Sequence, residues 1–176
     1  MTKLLLSLHV LAAIVAIGPV TVAASMFPAT TRRVLTGADP DPAGIAVLRN
    51  LHRICRVYAG LGILVPVFGL ATASSLGVLT DAWLIVSMAL TAVAAGILVF
   101  AILPGQVATL AADLAPVAPG TATGPPEYGE PGPAASTGRS VAAVAARLGM
   151  VTGVFNLVWA TVVVLMIIRP GSTTGA

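Results

Sequence analysis

Four stretches of this chain carry no charged residue over the length needed to cross a lipid bilayer: Leu4–Phe27, Val57–Leu79, Ala82–Leu103 and Leu148–Ile168. At about 1.5 Å per residue, some twenty helical residues cover a hydrocarbon core of about 30 Å. Lipid offers no hydrogen bonds to a backbone, so each run must pair its own N–H and C=O groups, and an α-helix does this within a single segment. The expectation is an all-α fold, a four-helix transmembrane bundle forming one domain over residues 1–176.

Composition supports this class. Hydrophobic residues make up 57% of the chain and charged ones 9%, with a mean hydropathy of +1.01, outside the range of soluble globular domains. A net charge of +3 taken alone would point to nucleic acid. The basic residues sit at the ends of apolar runs, however, where they meet lipid headgroups and set orientation, so no nucleic-acid partner is expected. The single cysteine, Cys55, excludes an intrachain disulfide and a cysteine metal cage.

The first run has the parts of a secretory signal: Lys3 as a charged start, Leu4–Ile17 as an apolar stretch and Val22-Ala23-Ala24 as a small-residue site. Its apolar length exceeds that pattern, and it is expected to stay as a span. Gly18-Pro19 lies at its middle. The connection 28–56 is basic. Asp41 is placed to cap a helix that starts at Pro42. From there Ile45, Leu48, Leu51 and Cys55 share one face, and Arg49, Arg53 and Arg56 another. This reads as an interfacial helical lead-in to the second span.

Leu79-Thr80-Asp81 makes a tight turn between spans two and three, which predicts antiparallel neighbours. Asp81 is expected to cap the third helix, with Trp83 as an interfacial aromatic. Leu103-Pro104-Gly105 is expected to end that helix. The Pro/Gly/Ala-rich segment 104–140 has few large apolar residues and reads as a mobile loop. Arginine and lysine counts set the orientation. The connections 28–56 and 104–147 carry Arg32, Arg33, Arg49, Arg53, Arg56, Arg139 and Arg147, against Lys3 and Arg169 on the other side. The positive-inside rule then puts both long connections in the cytoplasm and both termini outside, as expected of a multi-pass protein of the cell inner (plasma) membrane.

Candidate chemistry centres on His9, about five residues into the first span. Ala12, Ala13, Ala16 and Ala23 lie on its side of the helix, which marks a face open to close approach. A histidine within a span is a functional hypothesis by default, and the sharp reading is axial ligation of haem b through a ring nitrogen. His52 lies at the opposite membrane face and cannot share the same iron. Met88 and Met166 are the remaining candidates for a second ligand. The plainer reading, which carries more weight, has His9 hydrogen-bonded to a nearby hydroxyl among Thr72, Ser74, Ser75 and Ser87.

Arg49, His52, Arg53 and Arg56 form a basic cluster that either recognises headgroups or serves as a topology signal alone. Gly149, Gly153 and Asn156 mark a helix-packing face, because glycines admit a neighbour and the amide bonds across. Pro19 and Pro66 are expected to kink their helices and free carbonyls. No histidine–carboxylate pair, activated serine, phosphate loop or cysteine pair is present, so the chain is not expected to be an enzyme.

The order Leu8-His9, Gly18, Pro66-xx-Gly69, Asp81-Ala82-Trp83-Leu84 and Leu165-Met166-Ile167-Ile168-Arg169-Pro170 resembles the Domain of Unknown Function 2269 family of bacterial integral membrane proteins. More loosely, the Leu-His opening is similar to copper-resistance D proteins and membrane-embedded haem-dependent protoporphyrinogen oxidases. There a first-helix histidine is linked to metal or haem, and only His9 carries over. The expected function is a non-enzymatic membrane protein, a subunit or assembly partner of a larger complex whose partner is another membrane protein or a second copy. The alternatives are a haem b or copper-binding redox protein using His9, and a small transporter.

Overall fold

The computed structural model describes residues 2–35, 41–114 and 133–171. Their regular elements are all helical: α1 (Thr2–Leu35), α2 (Pro42–Leu61), α3 (Leu64–Leu76), α4 (Ala82–Ile97), α5 (Leu103–Leu114) and α6 (Pro133–Ile168), with a π turn at Leu98–Ile102 joining α4 to α5. They form four rods: α1, α2 with α3, α4 with the π turn and α5, and α6. Each is long and apolar enough to cross a membrane. Below, the end carrying Arg32, Arg49, Arg53, Arg56 and Arg147 is called the basic end, and the end where α3 turns into α4 the hairpin end.

The rods are longer than the apolar runs alone suggest. Helix α1 continues past Phe27 and through Pro28 to Leu35. An internal proline costs a helix roughly 3 kcal/mol, and here packing offsets it. Phe27, Pro28 and Val34 are buried, and a Cβ on Gly149 of α6 would stand 3.8 Å from Pro28 Cβ. Helix α2 starts as its sequence predicts. Asp41 Oδ1 accepts the Gly44 N–H at 3.0 Å and Pro42 takes the first helical position. Leu48, Leu51 and Cys55 are buried while Arg49, Arg53 and Arg56 are exposed. The expected lead-in, α2, packs on α1 and with α3 makes one rod over Pro42–Leu76.

Pro66 divides the second rod. It has no N–H to give the Gly62 carbonyl, and the Val65 N–H takes that acceptor instead at 3.1 Å, so the helix breaks at Gly62-Ile63. Helix α3 stops at Leu76, earlier than expected. Gly77 adopts the left-handed conformation at φ 70° and the Val78 N–H returns to the Ala73 carbonyl at 3.2 Å, a glycine-dependent stop. The turn is therefore residues 77–81.

The third rod overturns the expected stop at Leu103-Pro104-Gly105. At the π turn the Leu103 N–H bonds the Leu98 carbonyl, five residues back, and the helix runs on to Leu114. The buried positions explain the wider turn. Ala94, Leu98, Ile102 and Gln106 are all buried and follow each other at steps of four. On a plain α-helix each such step drifts about 40° around the axis. A π turn advances less per residue and returns the series to one face. Residues 104–114 and 133–140, expected in a mobile loop, are helical; the rest of that loop, 115–132, lies outside the described residues.

The rods pack as a row, with α3 on α1, α1 on α6 and α6 on α4, while α5 closes back onto α2. The main core sits toward the basic end, around Val20, Phe27, Val34, Leu48, Leu51, Leu98, Ile102, Leu148 and Phe155. A small second cluster of Ala73, Trp83 and Leu84 with Val78 joins α3 to α4 at the hairpin end.

Candidate functional site

His9 on α1 is partly buried against α3. Its Nδ1 lies 2.9 Å from the Val65 carbonyl oxygen. A carbonyl only accepts, so Nδ1 carries the proton and donates, which leaves Nε2 with a lone pair. Gly69 makes the approach possible. A Cβ there would stand 3.0 Å from His9 Cε1 and 3.1 Å from Nδ1. The side chain at i+4 overhangs a helical carbonyl, and glycine at that place uncovers it.

The expected hydroxyl partners are not used. Thr72 donates to the Phe68 carbonyl at 2.7 Å, Ser75 to Thr72 at 2.8 Å and Ser87 to Trp83 at 2.8 Å. Hydroxyls in helices readily bond back to their own preceding turn, so His9 reaches a backbone oxygen deeper in the second rod. Of the suggested methionines, Met88 is exposed on a helix that packs chiefly on α6, and Met166 accepts through its carbonyl from Arg169 Nε at 3.3 Å. Among the described residues no group of three or more His, Cys, Asp or Glu could hold a metal.

A second polar cluster lies at the basic end, and sequence reasoning missed its centre. His52 Nδ1 donates to Gln106 Oε1 at 3.0 Å, and Gln106 Nε2 donates to Cys55 Sγ at 3.5 Å. Gln106 is buried. His52 is therefore tied through Nδ1 to the third rod, beside Arg53 and Arg56. The signal that hid Gln106 is Pro104-Gly105, which reads as a helix stop. The signal that could have found it is the four-residue series Ala94, Leu98, Ile102 and Gln106.

At the hairpin end Asp81 makes no side-chain cap on α4. Its Oδ2 accepts from Trp83 Nε1 at 3.0 Å. Trp83 is buried rather than lipid-facing, and the Arg169 guanidinium from the end of α6 lies 5.6 Å from its ring centroid. This ties the fourth rod to the hairpin.

At the seam of α1 and α6, Asn156 Nδ2 donates to Ser25 Oγ at 3.2 Å, while Asn156 Oδ1 is buried with no partner. Gly149 faces Pro28, but Gly153 is exposed and a Cβ there would meet nothing within 4 Å. Comparison of the chain with protein-family models, with curated proteins and with solved structures gives no match.

Proposed function

We propose that this chain is a non-enzymatic multi-pass protein of the bacterial inner membrane, with both termini outside, that serves as a subunit or assembly partner of a larger membrane complex. The observation that carries this reading is the seam of α1 and α6. There an exposed serine bonds an asparagine across the seam, beside a glycine with open space over it. Exposed Met150 and Leu157 flank that glycine. Small and polar residues on an apolar helix suit a neighbouring helix better than lipid, because they allow backbone approach and bonds across.

Purification in mild detergent with mass analysis tests it. The expected result is a complex heavier than one chain, lost in a Gly153→Leu/Asn156→Leu double variant that retains its helical spectrum. A chain that is solitary in every mild detergent overturns the reading.

A second reading draws on the His9 tautomer. A ring whose Nδ1–H is held by a carbonyl presents Nε2 as a ligand, the arrangement usual for metal-bound histidine. At His9 the described residues supply one such nitrogen and no companion ligand, so the fit to haem b or copper is a single contact. An optical spectrum decides: a Soret band lost in His9→Ala supports haem at this nitrogen, and a spectrum without one removes haem.

A further inference from the structure

The arginines of α2 are not equivalent. His52, Arg53, Arg56 and Val57 line a depression of about 280 Å³. A second depression of about 280 Å³ shares Arg53 and Val57 and adds Asn50, Ile54 and Tyr58. Arg53 and Arg56 are exposed and make no hydrogen bond or ion pair with any described residue. Asp41 and Asp81 are occupied elsewhere, at Gly44 and Trp83. With Nδ1–H committed to Gln106, Nε2 of His52 keeps only a lone pair, so His52 borders the saddle and the arginines supply its donors. From Arg53 an exposed apolar strip continues along the same face of α2 through Val57 and Leu61, at steps of four residues.

We infer that this saddle holds the phosphate of one anionic phospholipid, with an acyl chain lying along Val57 and Leu61. Two guanidinium groups within about one helical turn present more donors than a phosphodiester needs. Charge-assisted bonds to phosphate are the strong ones. The sequence of charged donors followed by an apolar rail matches a lipid rather than a soluble anion. Basic pockets beside spanning helices bind headgroups in this way. Arg49 lies a turn farther from the rail and lines neither depression. The inference needs the chain in a bilayer but not the partner at the α1–α6 seam.

The test uses the full chain in detergent, titrated with phosphatidylglycerol, phosphatidylcholine or inorganic phosphate, and read by native mass spectrometry and by the unfolding midpoint. Phosphatidylglycerol is expected to remain as one bound lipid and to raise the midpoint, whereas phosphatidylcholine does neither. Arg53→Gln/Arg56→Gln is expected to weaken retention by about tenfold or more, the scale of one lost charge-assisted bond. Arg49→Gln, which removes the same kind of charge one turn away, leaves it unchanged. Equal losses in Arg49→Gln and in the double variant would reduce the cluster to general headgroup attraction and overturn the site. Protection by inorganic phosphate with none by phosphatidylglycerol also overturns it.

Discussion

The basic end carries most of the arginines and the less apolar helices α2 and α5, yet it packs more tightly than the hairpin end, where the more apolar α3 and α4 meet. At the basic end Phe27, Leu48, Ile102 and Phe155 are fully buried and helices from all four rods meet. At the hairpin end the first turns of α1, residues 2–15, bury nothing completely, and the cluster there is Ala73, Trp83 and Leu84. Solvent accounts for the contrast. A 34-residue helix such as α1 is about 51 Å long against a hydrocarbon core of about 30 Å, so part of the bundle stands beyond the lipid tails. Leu48 and Leu51 are buried beside Arg49 and Arg53, outside the apolar runs, where water drives apolar side chains together. Between lipid tails that drive is missing. The hairpin half instead relies on single polar contacts: His9 to Val65, Trp83 to Asp81, Arg169 to the Trp83 ring.

The largest effect is expected in the packed end. Phe27→Ala leaves a cavity among four rods and should cost about 3–5 kcal/mol, read as a lower unfolding midpoint in detergent. Leu11→Ala, on the exposed face of the same helix, should stay within about 0.5 kcal/mol. Equal losses at the two sites would break the comparison. Next comes Gln106→Leu. It strands the His52 Nδ1–H at the edge of the core, and should cost about 1–3 kcal/mol by the same measurement. An unchanged midpoint would mean that His52 finds water there and that the cluster lies outside the packed end.

These two ends were not equally legible in the sequence. The helical class, the four rods, the Asp41-Pro42 start and the buried face of α2 all follow from apolar runs and from helical spacing, which are local signals. What was misread depends on another helix. Pro104-Gly105 looks like a stop, and only the core face of α4 and α5, carried through a π turn, shows why the helix goes on. Pro28 looks like a boundary until Gly149 is set against it. His9 was given a hydroxyl partner because hydroxyls are what a sequence displays; a backbone carbonyl is invisible until Gly69 uncovers it. Asp81 and Trp83 were each assigned a local role, and they serve each other and Arg169. The pieces Leu8-His9 and Pro66-xx-Gly69 stand far apart in the chain yet meet in space, as do Asp81-Ala82-Trp83 and Arg169.

Smaller effects probe the hairpin half. Gly69→Ala should cost about 1 kcal/mol, since crowding of 1–3 kcal/mol is partly offset by the better helix propensity of alanine. Its specific signature is loss of the Nδ1–H bond, seen in the nitrogen-15 shifts of the His9 imidazole. Gly153→Ala, with nothing within 4 Å, should instead be neutral or stabilising by up to about 1 kcal/mol in the isolated chain. If the two glycines respond alike, His9 is not seated on Gly69.

The smallest expected effect is at Arg169, and it separates two opposing contributions. Its backbone sits at φ 46°, a left-handed conformation that a side chain disfavours, while its guanidinium lies over Trp83. Arg169→Gln keeps the backbone penalty and removes the ring contact, so it should cost about 0.5–1 kcal/mol. Arg169→Gly removes both the contact and the penalty, and should come out closer to the parent. Trp83 fluorescence, read in a Trp159→Phe background because the chain has two tryptophans, should change in both variants, since both uncover the ring. A midpoint lower in the glycine variant than in the glutamine one would show that the left-handed turn is held by its neighbours rather than by Arg169. The hairpin end would then owe less to single polar contacts than the rest of its packing indicates.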